Sequence, residues 1–572
     1  MKKSISFSIL SIISLSFFAQ EKAKDTLKTD EIIVVKPYTP TISAAYKIKT
    51  NPKLDPTQNE KETINYSFFS VPVASTFTPT KGTAQSVVRE PLEKVYENFV
   101  AAGFGNYGTP YLEVFIHSNS HQYNDFGAFI KHQSSSGGID GILVDDGYSD
   151  SEINLYYKQF ERYYNWEFIA GAQHNVQNWY GLPNDIIYNQ TFLDALDPKQ
   201  TYLNIFAEGN IDFDDAIFSH GTFNLNHFSD KYGSGELHAY VAPTFEFPLS
   251  TDLFTTDASL EFLSSQFDNA YGLIGAVKNS FLNLGVMPTF QVLREDYSLD
   301  IGAKVYYSFD LENSNNKFYF YPDVTFSYKL MDETVIAFAG VTGDLEQNSY
   351  QKLTEENPFV SPTLNLLQTD QQYNAFIGAK GKLSSTVSYN ITGSYKNENN
   401  KAQFMSNQAL TDATIPVNEN YEAGNSFDVV YDDISTINIT AELSVDLSKE
   451  FNFGGNISYN NYSPTNFEEV WNLPDFTSTL FAKYNAKNWY IGTDLYFVGE
   501  RKDFIMPFIG IDTVKTLDAY VDLNFNAGYE FSDRLTAFAK LNNVLSDNYE
   551  RYSNFEVQGF QVLAGVIYKF DF

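Results

Sequence analysis

Seven histidines in a chain of 572 residues all fall between His117 and His238, and histidine is the side chain readiest to hold a metal or carry a proton near neutral pH. His117 and His132 sit on adjacent expected strands, with His121 at the turn between them. A metal site needs several ligands converging on one point, each oriented by a further hydrogen bond. No HxH or HExxH spacing supplies that convergence, so the histidines read as polar positions on a wall, and no metal or cofactor is expected. The acidic run Asp140, Asp145, Asp146 and Asp150 offers oxygen ligands of the kind Ca²⁺ takes. It lacks the spacing and central glycine of an EF-hand loop, and a solvated loop is the expectation.

Covalent catalysis needs a nucleophile with an oriented base. No Gly-x-Ser-x-Gly elbow and no evident Ser/His pairing occurs, so no catalytic residue is expected and the chain is not read as an enzyme. The pair Trp179-Tyr180, in a long polar connection, is the candidate ligand contact: aromatic loop residues either stack on a solute such as a sugar or pack beneath other loops.

The elements that must position these residues follow from composition and period. The chain carries 40 Tyr, 50 Phe and no Cys, yet its mean hydropathy is slightly negative. Its many apolar residues are therefore interleaved with polar ones. Between Leu517 and Phe531, Leu517, Ala519, Val521, Leu523, Phe525, Ala527, Tyr529 and Phe531 alternate with Asp518, Tyr520, Asp522, Asn524, Asn526, Gly528 and Glu530. Successive strand side chains point to opposite faces, so one face is apolar and the other wet. Val387–Tyr395 and Leu203–Phe213 repeat the pattern. Strands of about ten residues or more suffice to cross a bilayer when tilted.

The two ends set the compartment. Lys2 and Lys3, an apolar run from Ile5 to Phe18, then Ala19-Gln20 read as a secretory signal peptide over residues 1–20. Without cysteine, lipid attachment at a cysteine, disulfides and thiolate metal sites are excluded. An exported, aromatic-rich chain with interleaved polarity is expected to be all-β: a transmembrane antiparallel β-barrel in the outer membrane of a Gram-negative bacterium. A net charge of −33 excludes nucleic acid as a partner, since its phosphates would be repelled; it implies acidic loops and lumen that favour cations.

Connection lengths give an independent reading. Short turns are expected at Glu161–Tyr164, Asp212–Asp215, Met331–Glu333, Leu383–Ser385, Ser448–Glu450, Lys487–Asn488 and Ser532–Arg534. Long extracellular connections are expected at Ser134–Asp150, Val176–Lys199, Asp344–Thr369, Asn397–Asn425, Asn461–Asn472 and Ser546–Gly559. They alternate in phase from a first strand near Tyr96 and close on about 22 strands with both ends periplasmic, or 20 if the stretch Ser264–Asn313 holds fewer. The barrel is thus expected over 96–572, preceded by an extended segment over 21–95.

The last strand, with Gly565, Tyr568, Phe570 and Phe572, resembles the C-terminal signal read by the outer-membrane assembly machinery. The final hundred or so residues resemble the barrel end of TonB-dependent receptors. Asn472-Leu473-Pro474-Asp475-Phe476 leads a strand ending Ala482-Lys483-Tyr484; Trp489-Tyr490-Ile491-Gly492 opens the next, which closes on Val498-Gly499-Glu500. Leu541-Asn542-Asn543-Val544-Leu545-Ser546-Asp547-Asn548-Tyr549 is similar to that family's stretch before the last extracellular loop. The usual Gly-Arg pair is absent, since Phe560 follows Gly559. Glu31, Ile32, Ile33, Val34 and Val35 resemble a TonB box, an extended segment that adds a strand to the energy-coupling protein.

The resemblance implies solute or nutrient uptake with TonB as partner. It departs from the family at the N-terminus. About sixty residues separate Val35 from the first strand, rich in Pro as at Pro37, Pro40 and Pro79, which suits an extended strap rather than a folded plug. The other reading is therefore a plugless, non-transporting barrel, a subunit or docking platform for outer-membrane proteins and lipoproteins.

Overall fold

Alternating residues become paired strands where one face can meet lipid and the other water. The backbone N–H and C=O groups then satisfy one another and none is left bare in hydrocarbon. A computed structural model of the protein describes residues 96–571 apart from Gln122, Asp215 and Ile415. In it 22 strands form one sheet in which chain neighbours pair. The closing strand Gln561–Phe570 pairs antiparallel with the first, Asn98–Gly105, placing Val100 opposite Tyr568 and Gly103 opposite Gly565. The sheet is therefore a barrel with no free edge, and the expected fold and strand count are found. The expected signal peptide over 1–20, the expected extended segment over 21–95 with Glu31–Val35, and Phe572 lie outside the described residues.

The strand Lys199–Phe213 shows how the two faces differ. Leu203 and Ile205 are 38% and 50% exposed on the outside, while Tyr202 and Asn204, which alternate with them, are each 4% exposed. Ile153, Leu237, Ile377, Ile391, Ile437 and Ile439 continue the exposed apolar belt around the barrel. So large an apolar surface is a lipid-facing one. Tight connections such as 250–251, 332–334 and 385–386 lie at one end; 136–147, 179–198, 347–368, 407–426, 499–519 and 543–560 lie at the other.

Three expectations of extent change. The alternation read from Leu517 onward is two elements: Thr513–Leu517 pairs with Arg501–Ile505 as a hairpin within a loop, and the barrel strand is Tyr520–Glu530. Leu517 is fully buried in loop packing, so an apolar position continued the period without facing lipid. The connection expected from Asn397 begins ten residues later. The strand Val387–Ser406 runs on through its polar stretch by way of a register shift between Glu398 and Lys401, with Asn400 at φ 53°. Between 264 and 313, the strands Asp252–Ala270 and Leu273–Leu293 are joined by Tyr271-Gly272 alone, and Gly272 supplies the left-handed φ of 67°.

Candidate functional site

The long loops fold inward and build an apolar core over one mouth of the barrel. It contains Trp179, Tyr180, Tyr350, Phe359, Tyr421, Phe427, Tyr552 and Phe555, drawn from four connections or the strand ends beside them, together with wall residues such as Phe228 and Phe267. Phe359 stacks on Phe555 with ring centroids 3.7 Å apart. Each such buried aromatic contributes roughly 1.5–3 kcal/mol by leaving water, which offsets the entropy lost in ordering long loops.

Loop 347–368 is the keystone. Its short helix, Tyr350–Glu356, begins against the wall, where Glu236 accepts the backbone N–H of Tyr350 and of Gln351 at 2.6 and 3.1 Å. The Tyr350 hydroxyl donates to Asp230 at 2.8 Å. Further along, Trp179 Nε1 and the Tyr202 hydroxyl both donate to the Pro358 carbonyl, at 2.9 and 2.8 Å. Phe427 N–H donates to the Phe359 carbonyl, and Ser361 N–H donates to the Phe427 carbonyl. Asn279 clasps the loop's end, accepting from Leu366 N–H at 3.0 Å and donating to the Leu364 carbonyl at 3.1 Å.

Beneath this cover, strand register brings polar residues from separate hairpins into rows. Lys131 lies opposite Glu152, Glu152 opposite Gln173, Gln173 opposite Asn204, and Asn204 opposite Phe228. Beside that row, Asp150 faces Asn175, which faces Tyr202. With Thr354, Glu355 and Pro358 of the keystone loop and Arg551 from above, they line a cavity of about 440 Å³, within the roughly 300–1,000 Å³ of small-molecule sites. Both signs of charge, several amides and two aromatic rings face it. Chemically, it can bind and orient a polar solute.

The candidates from sequence fall in different places. Trp179 and Tyr180 are buried in the loop core, 1% and 8% exposed. Burial also pushes the Tyr180 hydroxyl up in pKa, keeping the proton it donates to the Glu556 carbonyl at 2.7 Å. Gly565, Tyr568 and Phe570 lie on the closing strand, where Tyr568 is half exposed on the outside. The described histidine side chains do not converge. His117 meets Asp125 at 2.9 Å, His238 meets Glu261 at 2.9 Å, and His132 meets Ser151 at 2.8 Å. The four aspartates also part company. Asp146 accepts from Gly138 and Ile139 N–H at 2.8 Å each, tying its own loop, while Asp150 faces the cavity. Among the described residues no group of acids, histidines or cysteines is arranged to hold a metal.

The cavity row was not singled out from sequence. Each member is an ordinary polar position of one alternating strand, and only cross-strand register gathers them. The aromatic density of the loops, at Tyr350, Phe359, Tyr421, Tyr552 and Phe555, is the signal that could have announced the cover.

A closed barrel of 22 strands with a lipid belt and inward-folded loops is the architecture of outer-membrane receptors. No family model matches the chain, and no curated protein matches it. Solved structures with this fold include the pyoverdine outer-membrane receptor FpvA of Pseudomonas aeruginosa PAO1, at 15% identity and TM-score 0.61, covering 84% of this chain and 79% of that one. The siderophore receptor PirA of Acinetobacter baumannii aligns at 10% identity and TM-score 0.60, covering 83% and 80%. The ferric enterobactin receptor PfeA of Pseudomonas aeruginosa, a mutant in complex with enterobactin, aligns at 11% identity and TM-score 0.59, covering 83% and 81%. At these identities the likeness is one of fold.

Proposed function

We propose that this chain is an uptake receptor of the outer membrane, which holds a polar solute beneath its extracellular loops and releases it inward when a TonB-type partner engages Glu31–Val35. The observation that carries this reading is a solute-sized polar cavity directly under loops that close the mouth of a barrel 22 strands wide. A barrel of that width is far larger than its side chains can fill, so a cover held by specific bonds suits a gated passage. The neighbouring receptors, named for pyoverdine, enterobactin and siderophores, support uptake as the kind of activity. Cells carrying the chain are expected to deplete solutes from a defined medium, read by mass spectrometry, that cells lacking it leave behind. Identical depletion profiles would overturn the reading.

A docking platform is the second reading, and one observation favours it. Ile274, Ile509 and Ile511 are 102%, 82% and 84% exposed on the long-loop side of the barrel, where unpaired large apolar groups suit a protein contact. Purification from native membranes with a stoichiometric partner would support it, and recovery of the chain alone would count against it.

A further inference from the structure

From the cavity lining we infer that the bound solute is zwitterionic and rich in amides, a short peptide with free ends. The inference rests on the uptake reading and deepens it by naming the substrate class. Carboxylates come from the wall and ceiling at Asp150, Glu152 and Glu355, cations from Lys131 and Arg551. The ion pairs among the described residues are made by other side chains. Both signs of charge therefore face the same space with no direct ion pair between them among the described residues, although Asn154 donates to Glu152 at 2.6 Å and Gln351 to Glu355 at 3.0 Å.

A second observation points to a ligand. Asn204 is 4% exposed and lines the cavity. Its Nδ2 donates to Gln173 Oε1 at 3.3 Å, while its Oδ1 is buried with no hydrogen-bond partner. A buried acceptor left unmade is costly, and a turn of the Asn204 side chain that brings it to the cavity would let an amide N–H of a ligand complete it. Gln173 and Asn175 lie beside it along the wall, and amide side chains match peptide groups in both donor and acceptor.

Other solute classes fit less well. A neutral sugar would desolvate both signs of charge and pair neither. A polyanionic chelate would meet three carboxylates, and a simple cation would meet Lys131 and Arg551. A peptide places its ammonium against Asp150 and Glu152, its carboxylate against Arg551 and its amides along Gln173, Asn175 and Asn204.

The test uses the full chain in detergent and native mass spectrometry. The ligands are a pool of free tri- to pentapeptides, the same pool acetylated and amidated at its ends, and maltotriose. Free peptides should occupy the protein about tenfold more than blocked ones, the loss expected when a charge-assisted hydrogen bond is removed. Glu152→Gln should reduce free-peptide occupancy similarly and leave the blocked pool unchanged. Equal occupancy by free and blocked peptides, binding of maltotriose in preference to peptide, or no peptide binding overturns the inference. Solute depletion by cells is read separately. Depletion of a non-peptide solute without peptide binding would sink this inference and leave the uptake reading intact; peptide binding without any depletion would do the reverse.

Discussion

Glu236, on the barrel wall, accepts the backbone N–H of Tyr350 at 2.6 Å and so fixes the start of the helix that roofs the cavity. A carboxylate at a helix N-terminus satisfies donors that the helix itself leaves open and meets the positive end of its dipole. The wall thereby holds the start of the helix through Glu236, while Asp230, Tyr202 and Asn279 hold other points of the loop. Glu236→Ala leaves the buried N–H groups of Tyr350 and Gln351 without that acceptor, a cost of about 1–3 kcal/mol per group. Hydrogen exchange across 347–368 should accelerate while exchange in the barrel strands stays unchanged. Unaltered exchange in that loop would show that Glu236 does not hold it.

The Phe359 and Phe555 rings join two loops at the centre of the cover. Phe359→Ala should cost about 3–5 kcal/mol of loop packing without unfolding the barrel, whose strands are held by their own ladder. Exchange should rise together in 347–368 and 543–560, and the heat-shifted mobility of the folded barrel on gels should persist. A rise confined to one loop would contradict the joint packing.

Asp503, in the loop hairpin, makes one part of the cover sensitive to pH. Burial pushes its carboxyl up to about 6. It accepts from the backbone N–H and the hydroxyl of Ser406. An acid whose folded pKa is raised binds its proton more tightly when folded, so the hairpin is most stable below the ordinary carboxylate range. That stability falls as pH rises toward about 6, and above it the buried charge carries its full cost, at most about 3 kcal/mol for such a shift. Amides of 501–517 should therefore be better protected at pH 5 than at pH 7.5, after correction for intrinsic exchange. Asp503→Asn should abolish the difference; a variant that keeps it would assign the effect elsewhere.

The seam of the barrel closes on two glycines. A Cβ on Gly565 would lie 2.3 Å from the Ala102 carbonyl oxygen and 2.6 Å from the Phe538 ring, closer than a strand pair can give. Gly565→Val should lower the fraction of chain recovered as heat-modifiable barrel by several-fold, with the steric reason independent of how Tyr568 and Phe570 are read during assembly. Normal recovery would mean that the seam can shift.

Period-two alternation carried the fold. Residues such as Leu203 and Ile205 face a single uniform solvent, lipid, and each strand declares its two faces by itself. The pattern misled where packing inside a loop imitated lipid, as at Leu517, and where a bulge kept a polar run in the ladder, as at Glu398 to Lys401. The cavity was not legible because Lys131, Glu152, Gln173 and Asn204 come from four strands, and their meeting depends on registers set by the whole barrel. Trp179 and Tyr180 stood out by type alone, and type does not say whether an aromatic loop residue meets a solute or another loop. Asn543 shows the reverse case. It stands in the stretch that resembles the receptors, and its Nδ2 donates to the carbonyls of Asp547 and Gln558 at 2.8 and 3.0 Å, so a short motif fixes the entry of the last loop.

Removing Glu31–Val35 from the full chain tests uptake most directly. Cells carrying the deletion should match cells lacking the protein in solute depletion, while folded barrel in their outer membrane stays at the level of the intact chain. Depletion equal to that of the intact chain, at equal barrel content, would contradict energy-coupled uptake through this stretch.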